Sequence, residues 1–523
     1  MMKSLPTVFL VLLSLLTCFS CSIGRGAQRD MRNLSPYAYG LAEAKTDIDR
    51  YNVLYKVHLA ALKKGVGVDY SDISNINIEI PPKAKPLPLP LYTDFCNCIF
   101  NVTNVQKDVF LFEAVQQGVT IRLSGEEIDR GTVSLKKCGL EKGSYLIVIN
   151  DENPWVENRS GYKYGHIRKD ILFLDKGRIV NSVVSPYNNL VSSPKCEAIK
   201  VMQEPFVFMN LTVNRQKEST AITNIINLSG YNNVQIRKVS INTPASTLHA
   251  DRAIKICNST NVTLDHIIIN GTYSQVEESG YGIYLDNIWN FQGHNIFGNG
   301  KWGVFGNNNL NVVTVSNSKI NRFDVHCYGR DMSFKNVHFF NLYNQFASVF
   351  GSIIFEDCFF DNSIPLINGT SYNAYVGYDV YFKNCTMNAT DGKNYIMKLG
   401  MNDGIVNKRK ELGQQCWPNI HIDQFNVNLS DDIQHFYIIT NKESNSAREI
   451  DYLSEIEVNG LTVHSDNSRF RGVWLSVLPL RTKKMIKCHI SDVSWERLSE
   501  TKTNTQSAKT LQIKVTGNRY LLN

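Results

Sequence analysis

Short apolar-rich runs recur along the chain, and most begin or end at asparagine: NLTVN at 210–214, NVQIRKVSIN at 233–242, NVTLDHIIIN at 261–270, NFQGHNIFGN at 290–299, NVVTVSNSKIN at 311–321, MSFKNVHFFN at 332–341, IIFEDCFFDN at 353–362 and VYFKNCTMN at 380–388. They lie about 20 to 29 residues apart, the period of a solenoid repeat. Within each run apolar residues alternate, as in Val262, Leu264, His266 and Ile268. That period of two predicts strands and excludes helices. A coil of two or three short strands cannot bury its apolar face alone, but stacked coils bury a continuous core. Equivalent strands would then sit about 4.8 Å apart, and asparagines at equivalent turns could form side-chain ladders.

The ends are less regular. Asp47 to Leu62 reads as a helix, with apolar Tyr51, Leu54, Val57, Leu59 and Leu62, and is followed by Pro81, Pro82, Pro86, Pro88 and Pro90. A helix closing the open end of the solenoid accounts for this segment, because terminal repeats need a polar outer face. Leu91 to about Asn150 reads as early strands, and 405–523 as weaker strand runs between charged loops. The expected organisation is therefore a signal segment (1–21), an N-terminal segment with capping helix (22–94), a β-helix core (95–404), and last coils with a C-terminal cap (405–523); a separate C-terminal binding domain is the alternative.

The repeat spacing and strand pattern over roughly 95–500 resemble the pectate-lyase-like superfamily. The resemblance implies an all-β chain folded as a single right-handed parallel β-helix. It specifies fold well and chemistry poorly. Polygalacturonases of this architecture carry NTD, paired-aspartate, GHG and RIK motifs; this chain has only Asn242-Thr243-Pro244, and Arg237-Lys238 without the rest. Some β-helix lyases use calcium held by carboxylate clusters, so calcium is the one cofactor the resemblance leaves open, but no dense Asp/Glu set stands out.

Charge and cysteines narrow the partners. The formal net charge of +7 over 523 residues is mild and permits an acidic polysaccharide. The basic residues are dispersed, which argues against nucleic acid. Met1-Met2-Lys3 followed by the apolar Val8 to Leu16 reads as an export signal too short to span a bilayer. The following Thr17-Cys18-Phe19-Ser20-Cys21 resembles a bacterial lipoprotein signal, with Cys21 as the lipidated residue. The expectation is an exported protein, either lipid-anchored at the cell envelope or secreted. Among twelve cysteines, Cys358 and Cys385 hold equivalent places in successive repeats, which predicts two small apolar groups stacked in the core.

Residues at equivalent positions of successive coils become spatial neighbours, so chemistry is sought in polar residues that align. With Ile254, Ile283, Val304 and Val325 inward, Lys255, Tyr284, Phe305 and His326 would form one exposed row. Asp251, Arg252, Tyr281, Lys301, Trp302, Arg322 and Asp324 would edge it. A one-residue slip would reverse the facing. Glycoside hydrolysis needs two carboxyl groups, about 5–5.5 Å apart for retention or 6.5–9.5 Å for inversion, and Asp251, Asp286 and Asp324 are the candidates. β-Elimination from a uronate needs a base and nearby cations. His326 or Tyr284 would be the base and Arg322, Arg330 and Lys255 the cations. Trp302, Tyr281 and Tyr284 could stack on sugars, and His249 and Arg252 complete the substrate-binding set. Asn153 to Asp170, rich in aromatic and basic residues with Pro and Gly, reads as a long loop beside the groove. Two function classes stay open: a carbohydrate-active enzyme, by hydrolysis or elimination, and a non-catalytic glycan-binding or adhesive surface β-helix.

Overall fold

The computed structural model describes residues 33–103, 110–116, 120–123, 134–135, 139–156, 166–181, 195–215, 224–243, 252–271, 281–299, 303–341, 343–348, 351–369, 378–390, 392–401, 418–441, 455–476, 485–496, 509–514 and 519–521. The signal segment, Cys21, His249, Asp251, Lys301 and Trp302 lie outside these residues.

Most described strands join one continuous ladder in which each coil pairs in parallel with the next. Four long coils form its centre: Ile254–Asn270, Ile283–Gly298, Phe305–Ile320 and Phe323–Phe340. Ile254 pairs with Ile283, Ile283 with Phe305 and Phe305 with Phe323, all fully buried. This is the right-handed parallel β-helix that the repeat predicts. The core is a stack of like side chains: the rings of Phe334, Phe355 and Phe382 lie 5.3 and 5.0 Å apart and nearly parallel. Cys358 and Cys385 are buried, unbridged and stacked, each thiol donating to backbone carbonyls.

Each long coil turns its corners on single residues with positive φ. One column runs Asn210, Lys238, His266, Asn295, Asn317, Asn336, Asp357, Asn384 and Gln424. Asparagine tolerates this left-handed conformation better than other non-glycine residues, which is why the runs are punctuated by it. The expected amide ladders are present: Asn270 donates to Asn242, Asn242 to Asn214 and Asn214 to Asn101. A corner also reverses the phase of alternation. Val262 and Leu264 point inward, but beyond His266 the buried residues are Ile267 and Ile269 while Ile268 is 39% exposed. The uninterrupted alternation through His266 and Ile268 read from sequence is thereby corrected.

The helix Asp47–Lys64 begins at a Thr46–Asp49 capping box and ends at Gly65 with φ 66°. It packs on the strands Asn75–Glu79 and Leu87–Pro88 and covers the N-terminal end of the stack through Tyr51, Leu54, Val57 and Ala61; Leu62 faces solvent. At the far end two antiparallel strands, Lys509–Lys514 and Arg519–Leu521, pair with the last coils.

One departure from the expected continuous coils matters for the site. Five strands between residues 120 and 200 form a separate antiparallel sheet. Part of the expected long loop belongs to it: Ser144–Val156 and His166–Asp175 are its central hairpin strands. Because Tyr92–Thr103 pairs directly with Phe206–Arg215, the sheet is an insertion between adjacent coils. It docks against the central coils, where Phe173 stacks on Trp289 at 4.8 Å and Asn311 donates to the Ile171 carbonyl and to Asp170.

Candidate active site

Backbone register fixes which residues share the outward row. Glu113, Asn227, Lys255, Tyr284, Gly306, Asp324 and Gln345 follow one another through successive coils. Two members of the expected row therefore move. Phe305 is fully buried and stacks on Phe323 at 5.0 Å, because Val304 and Phe305 both enter the core and Gly306 takes the outward place. His326 is displaced by one outward position and Asp324 stands in the row. A bulge accounts for the second change: His326, Cys327 and Tyr328 lie between Val325 and Gly329 where the preceding coil has only Asn308 and Asn309. Such an extra residue re-aims the side chains around it.

The consequence is a tight polar cluster. Tyr281 is 5% exposed and its ring lies across Gly306, where a methyl group would overlap it. Its hydroxyl donates to Asp324 Oδ2 at 2.8 Å and lies 2.8 Å from His326 Nε2. With the phenolic hydrogen on Asp324, His326 Nε2–H donates to the phenol oxygen. Arg322 Nη2 lies 2.6 Å and His326 Nε2 3.4 Å from the same carboxylate oxygen, while Oδ1 accepts the Gln345 backbone N–H at 3.2 Å. Burial pushes the Asp324 carboxyl up, but the Arg322 charge and the His326 interactions outweigh it and hold the group below its ordinary value. Asp324 is thus an ionised, sealed carboxylate that orients its neighbours. His326, 22% exposed, is the most open member, ahead of Arg322 at 13%.

Around this cluster the row offers cations and an aromatic ring. The Arg252 guanidinium sits 4.3 Å from the Tyr284 ring centroid, and Asn308 donates to the Tyr284 hydroxyl at 2.6 Å. Burial raises the Tyr284 phenol, which makes it a poor base. Lys255 stands 5.9 Å from the Phe110 ring. Asp286 occupies the next outward column, between Cys257 and Asn308. The structure thus brings Tyr281, Arg322, Asp324 and His326 together, with Arg252, Lys255 and Tyr284 beside them. It separates Arg330, which is 5% exposed and aligned with Trp289 and Asn311 in the column where the inserted sheet docks. Tyr281 gives its hydroxyl to the cluster and keeps no free face for a sugar. Among the described residues no group of three His, Cys, Asp or Glu side chains is placed to hold a metal ion.

Sequence reasoning missed Gly306, Glu113 and the Gln345 backbone. A glycine in KWGVFGNN reads as a turn; only its place in register, beneath Tyr281, shows what the missing side chain admits.

No family model and no curated protein matches the chain. Solved structures do. The tailspike protein gp49 from Pseudomonas phage LKA1 is 12% identical, with a TM-score of 0.55 over 88% of this chain and 85% of that one. The architecture is a right-handed parallel β-helix. The gp54 tailspike of Acinetobacter baumannii bacteriophage AP22, solved with A. baumannii capsular saccharide, is 10% identical with a TM-score of 0.44, covering 88% of this chain and 80% of that one. The tailspike gp61 of Pseudomonas phage phi297 is 11% identical at a TM-score of 0.40, covering 88% and 84%. At 12% identity the likeness to gp49 shows the fold alone, and the chemistry has to be argued from this chain's own side chains.

Proposed function

We propose that this β-helix binds an acidic polysaccharide along the Lys255–Asp324 row and cleaves it by β-elimination. The observation that carries this reading is the Tyr281 hydroxyl held 2.8 Å from both Asp324 and His326. The pair can exchange a proton while the Arg322-paired carboxylate balances the charge on His326. In the reaction His326 removes the proton beside the uronate carboxylate. The electron pair forms the ring double bond, the bond to the glycosidic oxygen breaks, and that oxygen takes a proton. Arg252 and Lys255 are the cations placed to neutralise the uronate. Hydrolysis needs two accessible carboxyls; Asp324 is fully buried and ion-paired, so that reaction would have to use Glu113 and Asp286 instead. The reading carries with it export through the N-terminal segment, with Cys21 as lipid anchor; loss of metabolic lipid labelling in Cys21→Ser tests the anchor.

A second reading has one observation in its favour: Tyr281 is nearly sealed, as suits a purely structural network supporting a glycan-binding surface. Incubation of the mature chain with acidic and neutral polysaccharides separates the two. Unsaturated-uronate absorbance together with new reducing ends, both falling about 10²-fold or more in Tyr281→Phe and His326→Ala, is the expected result. Reducing ends without that absorbance mean hydrolysis, and binding without cleavage means the structural reading.

A further inference from the structure

A second surface lies three positive-φ corners further along each coil, on another side of the solenoid. There the outward column runs Ile268, Phe297, Lys319, His338 and Phe359, one residue per coil. Phe297 is 38% exposed and Ile268 39%, on coils whose aliphatic residues are otherwise buried. Phe297, Lys319, His338 and Phe359 line a shallow groove of about 480 Å³, with Ile268 one coil before it. Its edge is the positive-φ corner column, which sets Asn295, Asn317, Asn336 and Asp357 side by side; Asn336 donates to Asn317 at 2.8 Å. The His338 and Phe359 rings are 4.7 Å apart, and the Lys319 ammonium lies 5.5 Å from the Phe340 centroid.

We infer that this groove is a second saccharide-binding track, taking a neutral polysaccharide strand along the solenoid axis. Aromatic rings suit the apolar faces of sugars, and a flanking row of amides supplies donors and acceptors for their hydroxyls. Phe297 and Phe359 are three coils apart, about 14 Å, with the polar Lys319 and His338 between them. That is two platforms separated by hydrogen-bonding groups, a pattern for several successive sugar units. A cation at Lys319 and a carboxylate at Asp357, with Asp361 3.8 Å from the His338 ring, leave the groove with no strong charge of one sign. A peptide adding as a strand is disfavoured, because the backbone groups here are already paired with the coils above and below.

The test is affinity electrophoresis of the full chain in native gels cast with dextran, galactomannan or xyloglucan, and with polygalacturonate for comparison. Retardation of the wild type by a neutral polysaccharide is expected, weakened at least tenfold in Phe297→Ala/Phe359→Ala and in Phe297→Ala alone to a lesser degree. Retardation by the neutral polysaccharide should persist in Arg252→Ala/Lys255→Ala, which removes the cations of the first row and so separates the two tracks. Equilibrium unfolding checks that the variants stay folded; the exposed Phe297→Ala is the safer of the two. No retardation of the wild type in any neutral gel, or retardation equal in wild type and double variant, overturns the inference. So does a fall in sedimenting mass of the double variant, which would make this face a contact between copies of the chain.

Discussion

Gly306 has no unusual backbone conformation, so the space its missing side chain leaves, and not its φ, is what the site uses. Placing a methyl there drives Tyr281 off the coil, and overpacking of this kind costs about 1–3 kcal/mol. Gly306→Ala should therefore lower the thermal midpoint modestly while disconnecting the phenol from Asp324 and His326. The expected outcome is a folded protein whose activity falls as far as that of Tyr281→Phe; activity near wild type would mean the phenol is not needed. The residue types of the cluster were visible in sequence, since Tyr281, Arg322, Asp324 and His326 were all candidates. Their arrangement was not. The bulge after Val325 and the pairing of Gly306 with Asp324 depend on coils about 20 residues apart, and no local pattern encodes which outward residue lands beside which.

At the scale of elements, corners and caps set the register. Val312 stands in the corner column of Asn233, Asn261 and Asn290 with φ 61°, a conformation that costs a β-branched residue about 1–2 kcal/mol. Val312→Asn should raise stability by about 1 kcal/mol, read from the denaturation midpoint, because it relieves that cost and can donate to Asn290 as Asn290 donates to Asn261. The capping helix carries a pH-dependent component. His58 is fully buried, donating Nδ1–H to the Pro88 carbonyl and accepting from the Tyr70 hydroxyl at 2.6 Å. Burial lowers its pKa to about 4, against the carbonyl contact that raises it. The unfolded imidazole titrates near 6.5. Above that pH the neutral ring is common to both states; between about 6.5 and 4 only the unfolded chain takes up the proton, so stability falls by up to about 3 kcal/mol. Melting curves at pH 7.5 and 5 should differ in the wild type and differ less in His58→Gln. The helix itself was legible from its apolar spacing and Thr46 cap. The inserted sheet was not, because the Pro and Gly of 153–170 read as loop and antiparallel pairing leaves no repeat to count.

For the whole molecule, stability is close to a sum of coils and the interfaces between them. Phe355 sits in the middle of the stacked rings, and Phe355→Ala removes contacts to two neighbouring coils at once, at a cost of about 3–5 kcal/mol. Hydrogen exchange should show the loss concentrated in the coils around Ile353 and Val380, with the Asp47–Lys64 end protected as before; uniform loss along the chain would contradict a quasi-linear solenoid. The amide ladders add a property of a different kind. In every row, Asn270 to Asn242 to Asn214 to Asn101, Asn290 to Asn261 to Asn232, and Asn309 to Asn287 to Asn258, the later coil donates and the earlier coil accepts. The side-chain dipoles consequently align instead of cancelling, and hydrogen bonds in such chains polarise one another. The ladders thus lay a side-chain dipole along the solenoid axis, positive towards the helix-capped end, and an anionic chain lying along a ladder would meet a field with a direction as well as a surface.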